Sequence, residues 1–196
     1  MGKEKYQKQI EELFKKSPVV TFGSIERIIK NKKNIKQYSK HLVRNLLLKG
    51  KIKRIAKGFY SIHEEPSLNV FCFQPSYLGL QDALSHHNLW EQETIPIIIS
   101  SKKIRIGPRK TPLGNILIRR IDKKYLFGIE YKLSGDFYLP YSDIEKTFID
   151  MIYFKENMTE EVLGNIRNVL DKKKLKVYLK NYPKRFKEKV MKILDK

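Results

Sequence analysis

The chain has 196 residues, of which 41% are apolar, enough to bury a core in one or two domains. No stretch approaches the roughly 20 apolar residues of a membrane span, and the N-terminus lacks the apolar core of a signal peptide, so a cytoplasmic location with no membrane partner is expected. One cysteine, Cys72, excludes an internal disulfide and a multi-cysteine zinc site.

The formal net charge is +20, and it is regional. Residues 1–62 hold 17 basic against 4 acidic residues, a net of +13; residues 63–155 are near neutral at +1; residues 156–196 carry +6. Solubility alone does not require such an imbalance, and an anionic polymer is the natural partner of the first segment. The acidic, proline-containing HEEPS at 63–67 reads as a hinge. The expected domains are therefore 1–62 and 67–196, the second mixed α/β to about 155 with a helical tail over 156–196.

Tyr6, Ile10, Leu13 and Phe14 recur with helical spacing in EKYQKQIEELFKK, and Pro18 stops that helix. VVTF reads as a very short strand. GSIERIIKNK reads as a helix opened at Gly23 or Ser24 with Ile25, Ile28 and Ile29 facing inward. A third helix is predicted from about Ile35 to Leu48, with Ile35, Ser39, Leu42, Val43, Leu46 and Leu47 on one face and Gly50 as its terminator. KIKRI and FYSI then flank AKG, giving a hairpin anchored by Ile52, Ile55, Phe59 and Ile62, with Gly58 supplying the positive φ of its turn.

Three helices closed by a two-stranded hairpin make a winged helix-turn-helix, in which the third helix enters the major groove and the wing meets flanking backbone. The outer face of that helix carries Lys36, Gln37, Lys40, His41, Arg44 and Asn45; the wing carries Lys51, Lys53, Arg54 and Lys57. Gln37, Arg44 and Asn45 suit base edges, whereas the lysines suit phosphates. A solvated lysine-rich surface or a protein-docking module is the competing interpretation.

Further on, NVFCFQ at 69–74 reads as a strand. In PSYLGLQDALSHHNLW a helical face joins Leu80, Ala83, Leu84 and His87. TIPIIIS, KKIRIG, NILIRRI and YLFGIEYKL suggest a small mixed sheet. Ser142 and Glu145 read as a capping box for a helix to about Lys155, and Thr159 as the N-cap of a first tail helix with Val162, Ile166, Val169 and Leu170 on its apolar face. A basic amphipathic helix broken near Pro183 follows, with Phe186, Val190 and Ile193 along one side. The tail is either a further nucleic-acid or partner surface, or a helical pair packed on the middle domain.

In order along the chain, LLLKGKIKRIAKGFYSI, PSYLGLQDALSHHNL, KIRIGPRKTPLGNILIRRI with YLFGIEY, and LPYSDIEKTFIDMIYF resemble the AbiEi family, antitoxins and transcriptional repressors of abortive-infection toxin-antitoxin systems. The resemblance spans about 3–154. It implies a repressor that binds inverted repeats in its own promoter through the winged module, and a second domain that counteracts a nucleotidyltransferase-like toxin without a stable complex. A regulator with no toxin partner stays compatible with the same residues.

No enzymatic function and no cofactor are expected. The alternative is a metal-dependent DNA nuclease built on Asp122, Glu130 and Lys132, but acid-x-lysine triplets are common in so lysine-rich a chain. His86 and His87, adjacent on a helix, point about 100° apart and share a ligand set poorly, one expected packed and the other exposed. Cys72 reads as a small buried hydrophobe.

Overall fold

The computed structural model describes residues 4–30 and 32–195. The chain is an α+β protein: a winged helix-turn-helix, then a mixed α/β region ending in helices. It divides into two compact units, 1–72 with 110–115, and 73–109 with 116–196.

In the first unit, α1 (Glu4–Lys16), β1 (Val20–Thr21), α2 (Phe22–Ile28), α3 (Ile35–Leu48), β2 (Lys53–Ala56) and β3 (Phe59–Ser61) follow in that order. The strands form a small antiparallel sheet, β1-β3-β2, so the short VT segment completes the wing from its inner side. Ile10, Phe14, Val20, Ile25, Ile29, Val43, Leu46 and Ile52 are buried together between the helices and the wing. α2 starts one residue before the expected position, because the Thr21 side chain accepts from the Ser24 amide and caps it. The expected helix ran on through 31, which lies outside the described residues; α2 ends at Ile28, and Ile29 is already extended.

Two apolar assignments differ. Ile35 and Ile62 are 38% and 45% exposed, Ile35 because it opens α3 and Ile62 because β3 has already ended. Tyr60, not expected as an anchor, is buried instead, opposite Val20. NVFCFQ is not a strand: residues Pro66–Phe73 form a 3-10 helix, within which the Asn69 side-chain Nδ2 donates to the Pro66 carbonyl at 2.9 Å. A short apolar run has no periodicity that separates a buried strand from a buried helix. Cys72 is buried within it.

The second sheet has six strands in the order β6-β7-β5-β4-β9-β8. They are β4 (Ser76–Leu78), β5 (Ile97–Ser100), β6 (Gly107–Thr111), β7 (Gly114–Arg120), β8 (Ile129–Ser134) and β9 (Phe137–Ser142). β4 runs antiparallel to β5 and parallel to β9, β5 parallel to β7, and β8 antiparallel to β9. KKIRIG is not a strand: the Ile104 amide turns back to the Lys102 carbonyl, and Ile106 is 58% exposed, so its alternation faces no core. β9 was hidden in the sequence by Pro140, which argues against a central strand. It is accommodated because β9 meets β4 in register only at Leu78 and Tyr141.

Helices cover the sheet of the second unit. α4 (Gln81–His86) follows β4, and α5 (Ile144–Tyr153) follows β9. α5 is capped by Asp143, whose carboxylate accepts from the Lys146 amide at 2.8 Å, not by Ser142; Glu145 instead accepts from the Asp171 amide at 2.9 Å. α6 (Glu160–Val169), α7 (Lys172–Leu179) and α8 (Lys184–Leu194) bury Val162, Leu163, Ile166, Leu175, Leu179, Val190 and Leu194 against Phe148, Ile149 and Met151. Thr159 caps α6 as expected. Val169 is 51% exposed, since Asp171 starts a new helix and turns the chain there. The tail is thus a helical layer of the second unit with its lysines outward. Among the described residues, no helix is long and apolar enough to cross a membrane.

Candidate nucleic-acid interface

Helix α3 is held rigidly at both ends. Asn34 caps its start by accepting from the Gln37 amide at 3.0 Å, and the buried Ser39 hydroxyl donates to the Ile35 carbonyl. Past its end, the amides of Lys49, Gly50 and Lys51 return to the carbonyls of Asn45, Leu47 and Leu46, with Gly50 at φ +65°. The wing is tied to α2 by the Phe22 amide, which donates to the Gly58 carbonyl at 2.8 Å, and to the α1–β1 connection by the Ser61 hydroxyl, which donates to the Pro18 carbonyl at 2.6 Å. The wing is thus anchored to the elements that precede α3.

Val43, Leu46 and Ser39 face the core, and Lys36, Gln37, Lys40, His41, Arg44 and Asn45 are all exposed. They do not form one uniform surface. The Gln37 side-chain amide donates to His41 Nε2 at 3.1 Å, one turn apart. His41 and Asn45, with Tyr38 and Lys49, line a shallow groove toward Gln7 of α1. Lys36, Lys40 and Arg44 have no acidic partner among the described residues. Lys32 and Lys33 are exposed just before α3, and the Lys32 ammonium lies 4.8 Å from the Tyr38 ring centre. Neither was selected from the sequence; their place on the turn leading into α3 is the signal that marks them.

The four wing cations also separate. Lys51 precedes β2 and pairs with Glu11 of α1 at 2.9 Å, and that hydrogen bond holds the Glu11 carboxyl below the usual glutamate range. Lys53 pairs with Glu64. Arg54 and Lys57 have no acidic partner among the described residues, and the Arg54 Nε–H donates to the Ala56 carbonyl at 3.4 Å. A β-bulge between Arg54 and Ala56 turns Ile55 into the core, leaving Arg54 outward. Exposed cations without an acidic partner among the described residues thus stand on the approach to α3, its outer face and the wing turn, and also on α1 (Lys8, Lys15, Lys16), on α2 (Arg27) and just past the ends of α2 and α3 (Lys30, Lys49).

The residues considered for catalysis are placed apart in role. Asp122 caps a 3-10 turn over Lys123–Tyr125, accepting from the Lys124 amide at 3.1 Å. Glu130, on β8, lies 3.2 Å from Lys132 and 3.8 Å from His87. No cluster of three or more His, Cys, Asp or Glu able to hold a metal occurs among the described residues. Both histidines are packed, contrary to expectation: His86 stacks on Tyr141 at 4.0 Å, and His87 Nε2 donates to the Ser142 carbonyl at 2.8 Å. Burial holds the His86 imidazole below its ordinary value.

No protein-family model matches the chain, and no curated protein matches it. Among solved structures, the Rv2827c protein from Mycobacterium tuberculosis is similar, with a TM-score of 0.61 over 97% of this chain and 76% of that one. The fold is shared. At 11% sequence identity the likeness is one of architecture alone.

Proposed function

We propose that this protein is a sequence-specific DNA-binding transcriptional repressor acting in the cytoplasm, by binding and not by catalysis. The observation that carries the reading is the outer face of α3 and the adjoining wing turn, where Lys36, Lys40, Arg44, Arg54 and Lys57 are exposed without acidic partners among the described residues. In this reading α3 lies in the major groove of double-stranded DNA, with Gln37 and Arg44 against base edges and Lys36 and Lys40 against phosphates. Arg54 and Lys57 meet the flanking backbone. The Gln37–His41 contact fixes the rotamer of an amide that would otherwise have to be ordered on binding.

The resemblance to the AbiEi family extends the proposal: the chain would repress its own promoter at an inverted repeat and act as the antitoxin to a nucleotidyltransferase-like toxin, without a stable complex. Co-expression tests the second part, since the chain should restore growth to cells expressing the toxin.

Fluorescence anisotropy on the promoter duplex and on a shuffled duplex tests the first part. Specific binding exceeds non-specific by roughly 10³-fold or more. With about six phosphate contacts, affinity should fall about 10³-fold between 50 and 200 mM salt. Equal affinity for both duplexes would contradict a repressor.

A further inference from the structure

The two edges of the six-stranded sheet are protected very differently. β6, at one edge, reads GPRKT and carries a proline and two cations, devices that keep an edge strand from pairing. β8, at the other, reads IEYKLS, six residues with no proline and an unbroken register against β9. Its register places Tyr131 opposite Pro140 and Leu133 opposite Tyr138, so Tyr131, Leu133 and Tyr138 lie on one face. They are 63%, 60% and 59% exposed. An edge strand with no proline, an unbroken register and an exposed apolar face is an invitation to a further strand.

The sequence of β8 also specifies which strand. In antiparallel pairing with a second copy, a two-fold axis through Tyr131 brings Glu130 opposite Lys132 of the other copy, and Lys132 opposite its Glu130. The same register sets Ile129 against Leu133 and the two Tyr131 rings side by side. Glu130 and Lys132 already lie 3.2 Å apart on the face opposite Tyr131, so the two copies would form an alternating ring of four charges on one face and an apolar cluster on the other. A shift of one residue either way along β8 destroys both matches, because it sets apolar against charged side chains.

We infer that β8 is a self-association surface, through which two copies of this chain join edge to edge in antiparallel register about Tyr131. The inference does not depend on the DNA-binding reading. The contact is small, which makes the dimer weak, in the micromolar range and above. The net charge of +20 on each copy opposes association at low salt, while at about 0.15 M the screening length of roughly 8 Å damps that repulsion more than it damps pairs in contact.

Sedimentation velocity of the full chain without DNA, from about 1 to 300 µM at that salt, tests it. The wild type should shift from monomer to dimer across the range. Glu130→Lys and Lys132→Glu each set like charges opposite one another, and each alone should weaken the dimer about tenfold or more. An equimolar mixture of the two variants restores both attractive pairs and should dimerise at least as tightly as the wild type. The mixture also separates a lost interface from a misfolded variant, because unfolded chains cannot complement each other. A wild type that stays monomeric throughout, or variants that fail to pair when mixed, would overturn the inference.

Discussion

The Tyr77 hydroxyl donates to the Asp150 carboxylate at 2.7 Å, inside a core where neither side chain reaches solvent. The ammonium of Lys146, one helical turn before Asp150, completes the group, also fully buried and lying 5.3 Å from the Tyr77 ring centre. Burial pushes the Lys146 amine below the ordinary lysine range and the Asp150 carboxyl above the aspartate range, and their mutual attraction opposes both shifts.

Breaking this group from one side should be costly. Lys146→Met leaves the Asp150 carboxylate buried without its cation, and a loss of about 3 to 5 kcal/mol in urea unfolding is expected. The triple change Lys146→Met, Asp150→Leu, Tyr77→Phe removes every partner at once and should recover most of that stability. A single variant as stable as the wild type would mean that the pair is not closed to water.

Alkaline pH should destabilise the second unit through its tyrosines. Burial and the hydrogen bond to Asp143, 2.7 Å away, push the Tyr178 hydroxyl up to about 12 from 10.0. Tyr77 and Tyr182 are also raised, chiefly by burial. A raised folded value means that the native state keeps its proton longer than the unfolded chain. The associated stability is therefore present below pH 10 and lost as pH climbs from 10 toward 12. Thermal melts across that range should show the fall, and Tyr178→Phe should make it shallower.

Two glycines at positive φ should respond unequally to alanine. At Gly58, φ +82°, an added Cβ meets nothing within 4 Å, so Gly58→Ala should cost only the backbone penalty of about 1 kcal/mol. At Gly128, φ +65°, the Cβ would come 2.8 Å from Lys146 Cβ and 2.9 Å from Tyr178 Cε2. Gly128→Ala adds overpacking to the same strain and should cost about 2 to 4 kcal/mol. Equal midpoint shifts for the two in denaturant unfolding would refute the difference.

On DNA, Arg44→Ala should weaken specific binding by about 1 to 3 kcal/mol and spare the shuffled duplex. Lys57→Ala should weaken both duplexes alike and reduce the salt slope by about 1. Lys51→Ala should change neither much, since Lys51 is engaged by Glu11 on α1. Equal losses on both duplexes for Arg44→Ala would contradict its assignment to a base edge.

Two helices of the first unit were legible residue by residue. α1 and α3 occupy the predicted spans, because an amphipathic stripe, a stop at Pro18 and a glycine at position 50 are local signals that the surroundings do not override. Beyond the wing, the chain was legible only in outline. Whether NVFCFQ became a strand or a 3-10 helix, and whether a run containing Pro140 could enter a sheet, depended on which backbone groups the neighbouring elements left to be satisfied. α5 is capped by Asp143 and not by Ser142, and Glu145 bonds across the fold to the amide that opens α7.

The candidate interface divides in the same way. Charge and helical spacing, properties of the chain alone, placed ten cations and polar groups on α3 and the wing. Only the tertiary structure decided which of them are compensated, because Glu11 and Glu64 reach Lys51 and Lys53 through folding and not through sequence proximity. The buried Lys146 shows the limit most clearly: read along the chain it is one lysine among many, and what makes it a core residue is the enclosure by Tyr77 of β4 and Phe127 of the segment before β8, together with Asp150 one turn on along its own helix.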